Sequence, residues 1–176
     1  MSLRHNIRRA IHRLLGLMAS VRFAGAEGLR SEGFPRIVRL RGGTVRLGRN
    51  VKLHRKLLLH LYTPFALVEI GDDTYLNEDC RLYCFDRISI GKSCAIAWGV
   101  HMTDSNHHEL DDVPKTLPIT IGDGVWIGAR VTILPGVTIG DGAIVGAGSV
   151  VANDIPPRSL CLGTPARVVR QGVEWR

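Results

Sequence analysis

No stretch of this chain approaches the ~18 consecutive apolar residues of a membrane-spanning helix, so no helical span is expected. Its four cysteines, Cys80, Cys84, Cys94 and Cys161, form no CxxC pair and no zinc-ligand spacing. Cys80 and Cys94 fall at compact, inward positions of the pattern described below and read as small hydrophobes in a reducing compartment. The N-terminus carries Arg4, Arg8, Arg9 and Arg13 among its apolar residues, which is not a secretory signal. A cytoplasmic protein is expected. Neither an aromatic-rich basic stretch nor a helix-turn-helix pattern accompanies the net charge of +7, so nucleic acid is not an expected partner.

What the sequence does have is a six-residue period. A branched aliphatic stands at Ile121, Ile127, Ile133, Ile139, Val145 and Val151. A small residue follows all but Ile133, as in Gly122, Gly128, Gly140, Gly146 and Ala152. Four residues after each aliphatic comes a compact side chain: Val125, Val131, Val137, Ala143, Ser149 and Ile155. Six matches neither the helical period of ~3.6 nor the strand period of ~2, and it is the repeat of a parallel β-helix. The 20 glycines suit its tight turns, since glycine takes positive φ without steric cost. At 176 residues the chain is long enough for one domain with a sizeable core.

Three segments are expected. Residues 2–19 carry apolar side chains at helical spacing, with the arginines mostly opposite. This reads first as a helix packed on its own β-helix or on a neighbouring subunit; contact with an anionic membrane surface is the alternative. Residues 1–36 form this N-terminal segment, 37–162 the β-helix and 163–176 a short basic tail. The period starts at Leu47-Gly48, yields to an excursion at Leu57–Val68, and slips by two residues before Ile90-Gly91. The anchor after Met102 is Ile121, 19 residues on and 13 more than one repeat. Residues from about 104 to 117 therefore leave the coil as a loop, a usual place for function on a rigid scaffold.

The hexads Ile121–Trp126 and Ile127–Thr132, the step Gly146-Ala147-Gly148-Ser149 and the ending Gly163-Thr164-Pro165-Ala166-Arg167 resemble the hexapeptide-repeat acyltransferases. Within that family the chain looks most like the galactoside, maltose and polysaccharide O-acetyltransferases. The resemblance implies a left-handed parallel β-helix; the general topology rule would give right-handed crossovers. It also implies a homotrimer, active sites between subunits, and transfer of acetyl from acetyl-CoA, as co-substrate, to a sugar hydroxyl in surface polysaccharide or lipopolysaccharide synthesis. A small acceptor such as an amino sugar, serine or an antibiotic is the alternative. A zinc-dependent carbonic-anhydrase-like lyase is a lesser one, because His101, His107 and His108 lack that family's spacing.

A weakly acidic hydroxyl needs a base, and histidine titrates near neutral pH. His108 matches the last position of the Asp-x-Asn-x-His pattern of the polysaccharide branch and is the preferred base. Counting without a gap from Ile96-Ala97 selects His107 instead. Asp104 either orients an imidazole or caps the loop entrance. Asn77 and Trp98 are acceptor-side candidates by resemblance. Trp126, Ala129, Gly146 and Ala147 would line the CoA path, with Arg167 and Arg170 at its phosphates. No metal or permanently bound cofactor is expected.

Overall fold

A computed structural model describes residues 27–31, 35–39, 42–108 and 115–175. The expected helix over 2–19 lies outside the described residues. Within them the chain is all strand, wound as a three-walled parallel β-helix. No helix among the described residues is long and apolar enough to cross a membrane.

Each wall is a ladder of short parallel strands contributed by successive coils. Wall one starts at Arg30–Ser31 and rises through Lys52–Leu53, Tyr75–Leu76, Ala95–Ile96, Trp126–Ile127 and Ile144–Val145 to Ser159–Gly163. Wall two runs from Arg36–Arg39 through Leu58–Leu61, Arg81–Cys84, His101–Thr103 and Thr132–Ile133 to Val150–Val151. Wall three runs from Thr44–Leu47 through Leu67–Ile70, Arg87–Ile90 and Ile119–Ile121 to Thr138–Ile139. The periodic aliphatics point inward and stack in register: Leu53, Leu76, Ile96, Ile127 and Val145 on wall one, Leu59, Leu82, Met102 and Ile133 on wall two. Their burial from water fills the core and is the main term favouring the fold.

The registers explain the irregularities of the period. Thr120 lies opposite Thr138, the spacing of one regular coil. Tyr75 lies opposite Ala95, a longer step that takes up the slip before Ile90. Ala95 lies opposite Trp126, so the inserted loop leaves the walls in register on either side of it. Lys52 lies opposite Tyr75, a longer coil than the one from Tyr75 to Ala95. The expected excursion at Leu57–Val68 is therefore not an excursion. Both of its strands, Leu58–Leu61 and Leu67–Ile70, lengthen to four residues within the coil, and only the turn at Pro64 interrupts them.

Two pairings lie at the ends of the expected segments. Paired strands begin at Arg30, ahead of residue 37. The expected tail folds back as the strand Ala166–Gln171, antiparallel to Ser159–Gly163. The glycines that follow the aliphatics have a different role from the one expected. A Cβ on Gly71 would lie 2.7 Å from the Gly91 carbonyl carbon, so these positions are small because coils stack closely. Positive φ falls two residues later, at Asn50, Asp73, Ser93, Gly124, Gly142 and Arg158. Asp72, Asp123 and Asp141 cap the same corner by accepting the N–H of Arg49, Lys92 and Asp123 at 2.7–2.8 Å. All four cysteines are buried and unpaired, and burial raises each thiol, Cys80 to about 11.

Candidate active site

A cleft of about 780 Å³ opens on the outer face of wall two. On strands His101–Thr103 and Arg81–Cys84 the inward residues are Met102, Leu82 and Cys84, so alternation turns His101, Arg81 and Tyr83 outward into the cleft. One side of the cleft is the corner between walls one and two, which supplies Asn77, Glu78, Asp79, Trp98, Gly99 and Arg130. The other side is the root of the inserted loop, which supplies His107.

The loop root is built like a short hairpin. Ser105 and Thr116 form an antiparallel bridge, and the Asn106 N–H donates to the Lys115 carbonyl at 3.0 Å. The chain then turns at His107, whose φ of 60° is left-handed and whose N–H donates to Ser105 Oγ at 3.1 Å. The imidazole of His107 stands edge-on to Phe85, with ring centres 5.0 Å apart at 90°. Tyr62 and Tyr83 lie at 5.8 and 6.5 Å, so three aromatic rings flank an imidazole that is otherwise exposed. Phe85 is itself stacked on Tyr62 at 4.2 Å. His108, the preferred base on sequence grounds, is exposed like His107 but does not line the cleft. The left-handed turn separates the two histidines.

Asp104 does the capping and not the orienting. Its side chain is fully buried, and its two oxygens accept the N–H groups of Phe85 and Asp86, each at 2.8 Å. The Cys84 thiol lies 3.6 Å from the second oxygen. Burial, opposed by these donors, holds the Asp104 carboxyl above the ordinary range. The carboxylate therefore ties the loop root to the turn below it, whose Phe85 packs on His107.

Two further imidazoles line or border the same face. His101 stands edge-on to Tyr83 at 5.1 Å, and His60 stacks on Tyr62 at 4.3 Å. The Nε2 atoms of both are buried without a hydrogen-bond partner. Burial first, then the Arg81 cation and His107, pushes the His101 pKa down. Burial and Arg36 do the same for His60. The sequence drew attention to His101 only as a metal ligand, and to Arg81 and Tyr83 not at all. Alternation about Met102 and Leu82 does mark all three as outward, but it does not say which wall carries the cleft.

The remaining candidates divide between a continuous corner and the last strand. The Gly99 N–H donates to the Glu78 carbonyl, that of Arg130 to Trp98 and that of Gly148 to Ala129, each at 2.8–2.9 Å. Glu78, Trp98, Ala129 and Ala147 thus form one column and Asn77, Ala97, Gly128 and Gly146 its neighbour, climbing ~4.8 Å per coil. Asn77 Oδ1 accepts the Glu78 N–H at 2.8 Å, so it is a turn former that also lines the cleft. Trp98 is 55% exposed. Above it the column changes to the small residues Ala129 and Ala147, neither of which lines the cleft. A Cβ on Gly146 would collide with Leu162 Cδ2. Trp126 is on wall one, 44% exposed, outside the cleft lining and 6.0 Å from the ring of Trp175. Arg167 and Arg170 are exposed on the last strand, opposite Leu162 and Leu160. Among the described residues no group of three histidine, cysteine or acidic side chains could hold a metal ion.

The described residues thus form a parallel β-helix built from hexads, with a cleft that carries a loop histidine. Residues 118–153 match the bacterial transferase hexapeptide family (six repeats). The chain is 41% identical over 109 residues to galactoside O-acetyltransferase of Escherichia coli, covering 59% of this chain and 54% of that protein. It is 37% identical over 112 residues to a putative acetyltransferase of Saccharomyces cerevisiae, covering 61% and 57%. The chain thus spans little more than half the length of these curated relatives. Among solved structures, a hexapeptide-repeat acetyltransferase of Vibrio cholerae is 26% identical with a TM-score of 0.60, over 97% of this chain and 93% of that one. A galactoside acetyltransferase solved in complex with coenzyme A has a TM-score of 0.58 at 24% identity, over 97% and 84%, and shares the fold. The resemblance read from the hexads holds: galactoside O-acetyltransferase and related acetyltransferases are among the relatives and the structural neighbours of this chain.

Proposed function

We propose that this protein is an acetyl-CoA-dependent O-acetyltransferase acting on a sugar hydroxyl, with His107 as general base. The observation that carries the reading is His107 itself: the histidine of the inserted loop that lines the 780 Å³ cleft, held there by a left-handed turn and three rings. Similarity to galactoside O-acetyltransferase supports the donor and the reaction. The acceptor hydroxyl gives its proton to the His107 imidazole as its oxygen attacks the thioester carbon. The tetrahedral intermediate collapses, the carbon–sulfur bond breaks, and the imidazolium proton passes to the leaving thiolate. The products are an acetyl ester and free CoA thiol. The small side chains of Ala129 and Ala147, above Trp98 in the same column, would let the pantetheine arm lie close to the wall, and Arg167 and Arg170 are the candidates for the CoA phosphates.

We place the protein in a homotrimer whose neighbouring subunit closes the open side of the cleft; the exposed Trp98 and Trp126 support such a contact. The acceptor belongs to a surface polysaccharide or related glycan, and the reaction to the cytoplasm, where four unpaired thiols stay reduced. Replacing His107 with alanine is expected to lower kcat by about 10²–10⁴-fold while leaving CoA binding intact, with His108→Ala near normal. Thiol release with a sugar acceptor measures both. The opposite ranking of the two variants would return the base to His108.

A further inference from the structure

We infer that the acceptor carries an anionic oxygen group, a carboxylate or phosphate, and that Arg130 binds it. The inference rests on the acetyl-transfer reading of the cleft and names the class of sugar that reading leaves open. Two carboxylates line the cleft, and both are already paired. Glu78 Oε1 accepts from Arg55 Nε at 2.7 Å, and Asp79 Oδ1 from Arg81 Nη2 at 3.2 Å. Arg130 also lines the cleft, is exposed, and has no ion-pair or hydrogen-bond partner for its guanidinium among the described residues. It is the uncompensated charge of the site.

Backbone preference does not explain an arginine there. Arg130 has a φ of 56°, a conformation that costs an ordinary L-residue roughly 1–2 kcal/mol. The equivalent positions one coil below and one coil above are Gly99 and Gly148, at φ 69° and 71°. The side chain crosses back over Gly99, where a Cβ would come within 3.3 Å of Arg130 Cγ, so the glycine leaves room for the arginine stem. Cations also act on the two imidazoles of this face, although Arg81 is itself paired with Asp79. The nearest cations, Arg81 beside His101 and Arg36 beside His60, add to burial in disfavouring the imidazolium forms. A neutral sugar makes no use of such a field. A hexuronate or sugar phosphate does, and a guanidinium fork fits either group with two parallel N–H···O bonds.

The other source of anionic oxygen is the CoA diphosphate, and the test separates the two. Galactose and galacturonate are titrated against wild type, Arg130→Gln and Arg130→Lys by isothermal titration calorimetry. Thiol release is then measured with acetyl-CoA and with S-acetylpantetheine, which lacks phosphate. Galacturonate is expected to bind about tenfold more tightly than galactose, an advantage that Arg130→Gln abolishes and Arg130→Lys keeps in part. The affinity for CoA is expected to be unchanged in both variants. Equal binding of the two sugars, no binding of galacturonate, or an advantage that survives Arg130→Gln overturns the proposal. A defect confined to acetyl-CoA and absent with S-acetylpantetheine also overturns it and assigns Arg130 to the donor. Anion binding without thiol release from either donor would instead count against the transferase reading and leave the Arg130 site standing.

Discussion

Asp104 offers the sharpest test of how the loop is held. In Asp104→Ala the N–H groups of Phe85 and Asp86, each now bonded at 2.8 Å, lose their acceptor in a fully buried place. Each orphaned buried donor costs about 1–3 kcal/mol. Removing the carboxylate also relieves the burial that raises its pKa, so part of this loss is returned. A net loss of about 3 kcal/mol is expected, which for a domain of this length lowers Tm by roughly 6–12 °C. Asp104→Asn keeps the shape but offers one acceptor oxygen and turns an N–H₂ toward the second donor; about half the loss is expected. Because the loop root carries His107, kcat should fall in both variants while the KM for acetyl-CoA stays put. The sign of the pH dependence follows from the raised folded pKa. The folded state takes up the proton more readily, so the advantage of aspartate over asparagine is largest below pH 3.8 and shrinks as pH rises through the folded pKa. Thermal unfolding at several pH values reads all of this. An Asp104→Ala protein within about 1 kcal/mol of wild type and with unchanged kcat would refute the argument.

Other consequences are open to measurement. The depressed pKa values of His60 and His101 mean that the unfolded chain binds protons more readily once pH drops below 6.5. Stability should therefore be level above pH 6.5, decline as pH falls through the interval down to the folded pKa values, and lose that slope in a His60→Phe, His101→Phe double variant. Gly71→Ala places a Cβ 2.7–2.8 Å from three backbone atoms of the next coil and should cost about 2–3 kcal/mol in denaturant unfolding. Gly124→Ala meets nothing within 4 Å, and only its φ of 62° resists; about 1–2 kcal/mol is expected. A reversed order of the two would undo the distinction between close-packed and left-handed glycines. Met102→Ala opens a void in a fully buried column and should cost about 2–5 kcal/mol.

The walls were legible because a parallel β-helix writes its period directly into the chain. Even the inserted loop could be counted out, since Ile121 resumes the phase of Met102. What misled was the assumption that coils have one length. Leu57, Leu59 and Leu61 point inward as strictly as the hexad anchors, but on longer strands. The second limit was local. Whether His107 or His108 faces the cleft depends on a single left-handed φ, and no residue type in Asn106-His107-His108 announces it. The choice between the two readings of Asp104 was closed for a related reason: its partners at Phe85 and Asp86 lie a whole coil away in sequence. Outward residues such as Arg130 carry no period at all, so their company is visible only in three dimensions.

The backward strand Ala166–Gln171 has a consequence for how molecules meet end to end. Stacked parallel coils leave unpaired N–H and C=O groups at the top of each wall, an invitation to axial polymerisation. On wall one that edge is taken by Ala166–Gln171 through its pairing with Ser159–Gly163. Its own free edge runs in the opposite direction and carries exposed Arg167 and Arg170, which repel a like-charged copy. The segment expected as a basic tail thus closes the top edge of wall one to a further parallel strand.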